Sequence, residues 1–242
     1  MNASIKATPS AENRSYRYFP LVTALFVTTL VISNIIAVKV VQIGGLFLPA
    51  AVILFPVAYI FGDILTEVYG YAKARQVIWT GFFCNLVAVI AMWIGGLLPA
   101  APFWSAGSFT TPDTAQQAYQ AILGFTPRLL LASFIAYLIG EFLNSFVLAR
   151  LKVRTEGKFL WLRTITSTIV GEGADSLVFI TIAFSGIFSP GDLGTAILSQ
   201  WLFKVGYEVL ATPLTYVIVR WLKRAEGEDY FDRGTNFNPV RY

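Results

Sequence analysis

Six stretches of this chain are long and apolar enough to cross a lipid bilayer, and four of them carry acidic residues in their interior. Asp63, Glu67, Glu141, Glu172, Asp175 and Glu208, with Lys39 and Lys204, lie among Leu, Ile, Val and Phe. Inside a bilayer only helices and closed barrels satisfy their own backbone hydrogen bonds, and each helical crossing takes about 20 apolar residues. A charged side chain at mid-bilayer costs about 2.5–3.5 kcal/mol, so such groups turn toward a bundle interior or a hydrated cavity. The pattern predicts an all-α fold: a polytopic membrane protein with six transmembrane helices in one bundle. Spans are expected near residues 19–41, 46–69, 76–97, 128–148, 161–187 and 195–221. They divide the chain into a polar segment 1–18, a transmembrane domain 19–222 and a tail 223–242.

Composition narrows the function classes. Charged residues make up 13% of the chain, against about 25% in a soluble domain. The net charge of +4 does not imply a nucleic-acid partner, because the basic residues flank apolar segments, where membrane topology accounts for them. Histidine is absent, which removes the usual general base and the commonest metal ligand, and no metal or cofactor is expected. The single cysteine, Cys84, permits no intrachain disulfide. The first apolar run is too long for a signal peptide and reads as a retained span.

Six spans place nearly all basic residues on one side. Arg14 and Arg17 precede the first span, Lys73 and Arg75 follow the second, and the cluster from Arg150 to Arg163 follows the fourth. Arg220, Lys223, Arg224, Arg233 and Arg241 close the chain. The connections at 42–45, 98–127 and 189–194 contain no Lys or Arg, and Arg128 lies at the membrane edge just beyond. The positive-inside rule then puts both termini in the cytoplasm. Within the long connection, residues 115–123 read as a short interfacial helix.

The embedded polar groups fall at helical spacings. Asp63 and Glu67 are four apart, as are Lys204 and Glu208; Glu172 and Asp175 are three apart, as are Glu141 and Asn144. Each pair shares a helix face, so four helices carry polar stripes that are hidden only by facing one another. Six embedded carboxyls meet three embedded or edge cations, Lys39, Arg128 and Lys204. Full ionisation would leave a surplus of negative charge, so some carboxyls are expected to be protonated or met by a cation or substrate, with Glu172 or Glu208 as the site of a transported proton.

Plainer readings stand beside these. Lys204 and Glu208 form either an intrahelical ion pair or part of the transport machinery. Glu67 and Lys39, near opposite span ends, read as interfacial residues, and Asn34 and Asn144 as interhelical bridges or ligand contacts. Most aromatics in the spans (Phe61, Tyr137, Phe179, Phe184, Tyr207) read as lipid-facing or packing residues, with one or two available to stack on a flat ligand. Gly44-Gly45, Gly95-Gly96 and Pro213 read as helix ends, close contacts or a kink. An internal echo, Gly140-Glu141-Phe142-Leu143-Asn144-Ser145 against Gly171-Glu172-Gly173-Ala174-Asp175-Ser176, presents similar groups from two antiparallel helices.

Together these segments resemble the queuosine precursor transporters, a family of the vitamin uptake transporter group. The resemblance rests on Ser33-Asn34 with Lys39, on Phe55-Pro56 with Tyr59, and on the run from Asp63 to Gly70 followed by Ala74-Arg75. It continues through Ala132-Ser133-Phe134, the two Gly-Glu segments, Lys204, Pro213, and the tail residues Phe231-Asp232 and Asn236-Phe237-Asn238-Pro239. It implies import of a small purine-like precursor, 7-cyano- or 7-aminomethyl-7-deazaguanine, across the bacterial cytoplasmic membrane for tRNA modification, with no enzymatic role. Some members carry Gln and Asp where this chain has Glu141 and Asn144, and Val240 stands where a Phe is expected; the first difference leaves ligand preference open. On this reading Glu172 and Asp175 accept from the guanine-like edge, Glu141 and Asn144 read its other polar atoms, and Asn34 and Asp63 close the site. Lys204 and Glu208 serve coupling or an ion pair.

Two other readings are carried forward. One is the substrate-binding subunit of an energy-coupling-factor vitamin transporter, which needs an ATPase partner. The other, remote, is an intramembrane aspartyl protease using Asp63 and Asp175.

Overall fold

The computed structural model describes residues 15–43, 46–124 and 126–241. Most of the N-terminal segment and the Gly44-Gly45 pair lie outside the described residues. The first helix, α1, spans Phe19–Ile36, with a proline in its first turn where a missing N–H costs nothing. Its buried positions, Val22, Phe26, Thr29 and Ser33, fall on one face, while Leu21, Leu25 and Ile32 are exposed on the other. Exposed apolar and buried polar residues are the arrangement a bilayer imposes.

The second span departs from the sequence expectation. In place of one helix over 46–69, a two-stranded antiparallel hairpin, β1 (Val40–Ile43) with β2 (Leu46–Pro49), follows α1. A 3-10 turn over Ala50–Ile53 comes next, and α2 covers only Phe55–Tyr69. Two prolines explain the change. Pro49 cannot donate to a helix, and Pro56 sits in the first turn of α2 and disfavours helical geometry before it. Fifteen residues give about 22 Å of helix, short of the roughly 30 Å hydrocarbon core.

Gly70 alone joins α2 to α3 (Tyr71–Leu97). Its φ of 83° lies in the left-handed region, and the Tyr230 ring packs where a side chain would stand. The expected interfacial helix is α4, Pro112–Leu123, capped by Thr111 and Thr114. It closes the end of α3: the Tyr119 hydroxyl donates to the Met92 carbonyl at 2.9 Å and Gln116 to that of Gly96 at 2.7 Å. Then come α5 (Pro127–Arg154), α6 (Leu160–Phe184) and α7 (Pro190–Glu226), the last containing Pro213 without interruption. Among the described residues, five segments are long and apolar enough to span a membrane.

The most intimate contact is between α5 and α6. Ala132, Ala136, Gly140 and Asn144 line the buried edge of α5 at four-residue intervals. A Cβ on Gly140 would lie 2.9 Å from the Asp175 Cβ, and one on Gly171 would lie 2.7 Å from the Asn144 Cβ. The echoed segments thus cross with local two-fold symmetry: each glycine receives the residue four beyond the other. Small residues at such a crossing let backbones approach where no hydrophobic effect operates. After α7 the tail folds back over the ends of α2, α3 and α5. Tyr230 N–H donates to the Val68 carbonyl, Tyr71 N–H to the Asp232 carboxylate, and Arg75 to the carbonyls of Asn236 and Asn238.

Candidate functional site

The embedded polar residues sort into three layers along the bundle. In the half nearest the hairpin a cavity of about 330 Å³ opens among α1, α2, α3, α5, α6 and α7. Asn34, Glu141, Glu172, Asp175 and Lys204 line it. Its centre is an ion triad: Lys204 Nζ lies 2.8 Å from Glu172 and closer still to Asp175. Tyr59 of α2 also hydrogen-bonds to the Glu172 carboxyl. Asn34 donates to Asn85 across α1 and α3 at 3.0 Å. The Tyr137 hydroxyl is tied to the Ile78 carbonyl at 3.0 Å, and with Phe26, Tyr59 and Phe179 it supplies aromatic wall. Glu141 is the exception among the cavity's acids. It makes no hydrogen bond or ion pair with any described residue, although it lines the cavity.

Toward the tail, the middle layer is sealed. Asp63 and Glu208 are each 1% exposed, and Asn144 donates its amide to Asp63 at 2.9 Å. Thr66 beside them donates to Ser145 at 3.0 Å. Glu208 lies on α7, which packs against α2. Of the two readings of Lys204 and Glu208, the intrahelical ion pair is not the one formed: Lys204 turns to α6, and Glu208 stays buried on α7 with no cation partner among the described residues. One turn of helix separates the two residues in sequence, but the two carboxylates of α6 offer Lys204 shorter and more numerous contacts. An aspartyl dyad of Asp63 and Asp175 is also absent, since Asp175 is held by Lys204 and Asp63 by Asn144.

The third layer lies at the tail end. Glu67 is not a solvent-reaching interfacial residue but is wholly buried. Arg163 grips both its oxygens, Nη2 to Oε1 at 2.8 Å and Nε to Oε2 at 3.2 Å. Lys223 reaches Oε1 at 2.6 Å, and Lys152 bonds its backbone carbonyl. Arg163, Lys152 and Lys223 come from helix ends that the sequence analysis assigned to topology alone. Asp229 of the tail completes the cluster against Lys152 and Lys223. Burial pushes the Asp229 carboxyl up, but hydrogen bonds from the two lysines hold it below its ordinary value. Asp232 goes the other way, raised by burial despite the N–H of Tyr71. Lys39 is exposed in the turn after α1 and joins none of the three layers.

Asn85, Tyr59 and Gln200 line the cavity and were not among the site residues expected from the sequence. Asn85 left a signal, a lone amide inside an apolar run, and Tyr59 entered only as part of the family resemblance. Gln200 left none, because a glutamine near a span end is ordinary.

A sequence model for the family described as "Putative vitamin uptake transporter" matches residues 49–218. The chain is 29% identical over 198 residues to a protein of Bacillus subtilis named probable queuosine precursor transporter, covering 81% of this chain and 82% of that one. It is 26% identical over 155 residues to the queuosine precursor transporter of Escherichia coli, covering 63% and 62%. A Haemophilus influenzae protein, again named probable queuosine precursor transporter, is 29% identical over 130 residues, covering 54% and 49%. No solved structure matches. With a cavity at its core, apolar residues on its outside and a family match over most of its length, the chain belongs to the vitamin uptake transporter family, membrane transporters and not enzymes.

Proposed function

We propose that this protein imports a planar 7-deazaguanine precursor of queuosine across the bacterial cytoplasmic membrane, with a proton as the coupling ion. Both termini, residues 1–18 and 223–242, lie in the cytoplasm, and the hairpin end faces outward, as the distribution of Lys and Arg supports. The cavity then belongs to an outward-facing half, and the tail end is the closed cytoplasmic side.

The observation that carries the reading is Glu141, an acceptor without a partner among the described residues, set in an aromatic-walled cavity large enough for a small heterocycle. A deazaguanine edge presents adjacent N–H donors, which a free carboxylate accepts in pairs. Glu172 and Asp175 are already engaged by Lys204, so they shape and charge the cavity while Glu141 takes the edge. This redistributes the roles expected from sequence: Asn34 with Asn85 meets the remaining polar atoms. Asn144 and Asp63, sealed beneath, line the path that a substrate follows only after rearrangement.

The test is uptake of radiolabelled 7-cyano- and 7-aminomethyl-7-deazaguanine into liposomes holding this chain alone. Saturable uptake, competed by either precursor and lost in Glu141→Ala, is the expected result. No uptake without an added ATPase module would instead support a binding subunit, and no binding of either compound would remove the substrate assignment.

A further inference from the structure

We propose that Asp63 and Glu208 together hold the coupling proton, in a sealed site distinct from the substrate cavity. The inference rests on the import reading above and specifies where its driving ion sits.

The geometry points there because this is where buried charge goes unanswered. Asp63 Oδ2, both oxygens of Glu208 and Oδ1 of Asn144 have no hydrogen-bond partner among the described residues. All three side chains are more than nine-tenths buried, and Asn144 is aimed into the cluster by its bond to Asp63. Neither carboxyl forms an ion pair among the described residues. The nearby cations are committed elsewhere: Lys204 to Glu172 and Asp175, and Arg163, Lys152 and Lys223 to Glu67 and Asp229. Two unpartnered carboxylates buried on the packed helices α2 and α7 do not both stay ionised in a low-dielectric interior, whereas one proton bound on either removes half the charge and supplies a donor. Among the described residues no group of three or more acidic or sulfur ligands gathers for a metal ion.

The surroundings tie the proton site to the cavity. α1 brings no ionisable side chain to α2, and Arg75 of α3 is bound to the tail. The other facing groups are Glu141 and Asn144 of α5, Glu67 of α2 and Glu172 of α6. Glu141 acts on Asp63 and Glu172 acts on Glu208, and both line the cavity. A ligand whose N–H groups engage Glu141 therefore changes the field at the proton site, and proton and ligand affinities become reciprocal. The step itself is simple: an O–H bond forms on one carboxyl with a proton from the outer face, and the same bond breaks into cytoplasmic water once the tail end opens.

Two measurements test this. In the purified protein without any precursor, infrared difference spectra should show a protonated-carboxyl band that is lost in Glu208→Gln and altered in Asp63→Asn. Absence of that band in the wild type, or its persistence in both variants, overturns the proposal whatever the substrate is. In liposomes loaded with the pH dye pyranine, wild-type uptake of 7-cyano-7-deazaguanine should acidify the lumen. In Glu208→Gln, accumulation driven by a pH gradient should fall about tenfold, to the level of exchange, while precursor exchange at equal pH stays within about threefold of wild type. Accumulation that follows a sodium gradient with no luminal acidification, or an unaltered pH response in both variants, also overturns it.

Discussion

Asp63 and Glu67 stand one turn apart on α2 and are equally hidden from solvent, yet their neighbours have nothing in common. Glu67 is gripped by Arg163 and Lys223 and lies beside Lys152. Asp63 has one amide donor and an oxygen with no partner among the described residues. The first arrangement is that of a scaffold, in which a buried charge is answered on every side. The second is that of a site, in which a charge is left to be answered by something that comes and goes. Depth and spacing are the same for both; only the partners differ.

The largest effect that separates the two residues is on stability. Removing one member of a buried ion pair leaves its partner uncompensated, at about 3–5 kcal/mol. Glu67→Ala and Arg163→Ala should therefore lower the thermal unfolding midpoint of the purified protein sharply, whereas Asp63→Asn should leave it unchanged or raised. Equal losses in Glu67→Ala and Asp63→Asn would erase the contrast. Next comes the triad. Lys204→Met strands Glu172 and Asp175, and uptake should drop about a hundredfold, equivalent to about 3 kcal/mol. Neutralising both acids as well should recover folding, read as monodispersity in detergent, but not uptake.

A smaller effect concerns the ligand edge. Glu141→Gln exchanges a charge-assisted acceptor for a neutral one, so affinity for both precursors should fall alike, about tenfold. The concentration dependence of uptake for each compound measures it directly.

The smallest effect is the pH response of the tail. Asp229 has a folded-state value below its ordinary one, so its contribution is present above the ordinary carboxylate range and is lost as pH falls through the folded value. Asp232 is raised, so the folded state binds the extra proton and stability declines as pH rises from the ordinary value through the folded one. Limited proteolysis of the tail across mildly acidic pH should show Asp229→Asn releasing it at neutral pH and Asp232→Asn tightening it.

Much of the bundle was legible because bilayer physics acts on composition. Five crossings follow from apolar length, and the placement of Glu141, Glu172 and Asp175 on inward faces follows from spacing. What was hidden is pairing. Lys204 has Glu208 at the ideal intrahelical distance and still turns to α6, because two acids across the α6–α7 seam outcompete one on its own helix. Glu67 looked interfacial because Arg75 and Tyr69 follow it in sequence, while the residues that bury it lie from 85 to 156 positions away. The hairpin was obscured because its strands are as apolar as the helix they replace, and only Pro49 and Pro56 mark the break.

The crossing at Gly140 and Gly171 restricts how such a protein can alternate between its two faces. Methyl groups there would collide with Asn144 and Asp175, so the fourth and fifth crossings have no slack along which to slide and travel as a single block. Any opening at the cytoplasmic side then falls to helices moving against that block, beneath a C-terminal strap whose bonds to the ends of α2, α3 and α5 would have to yield.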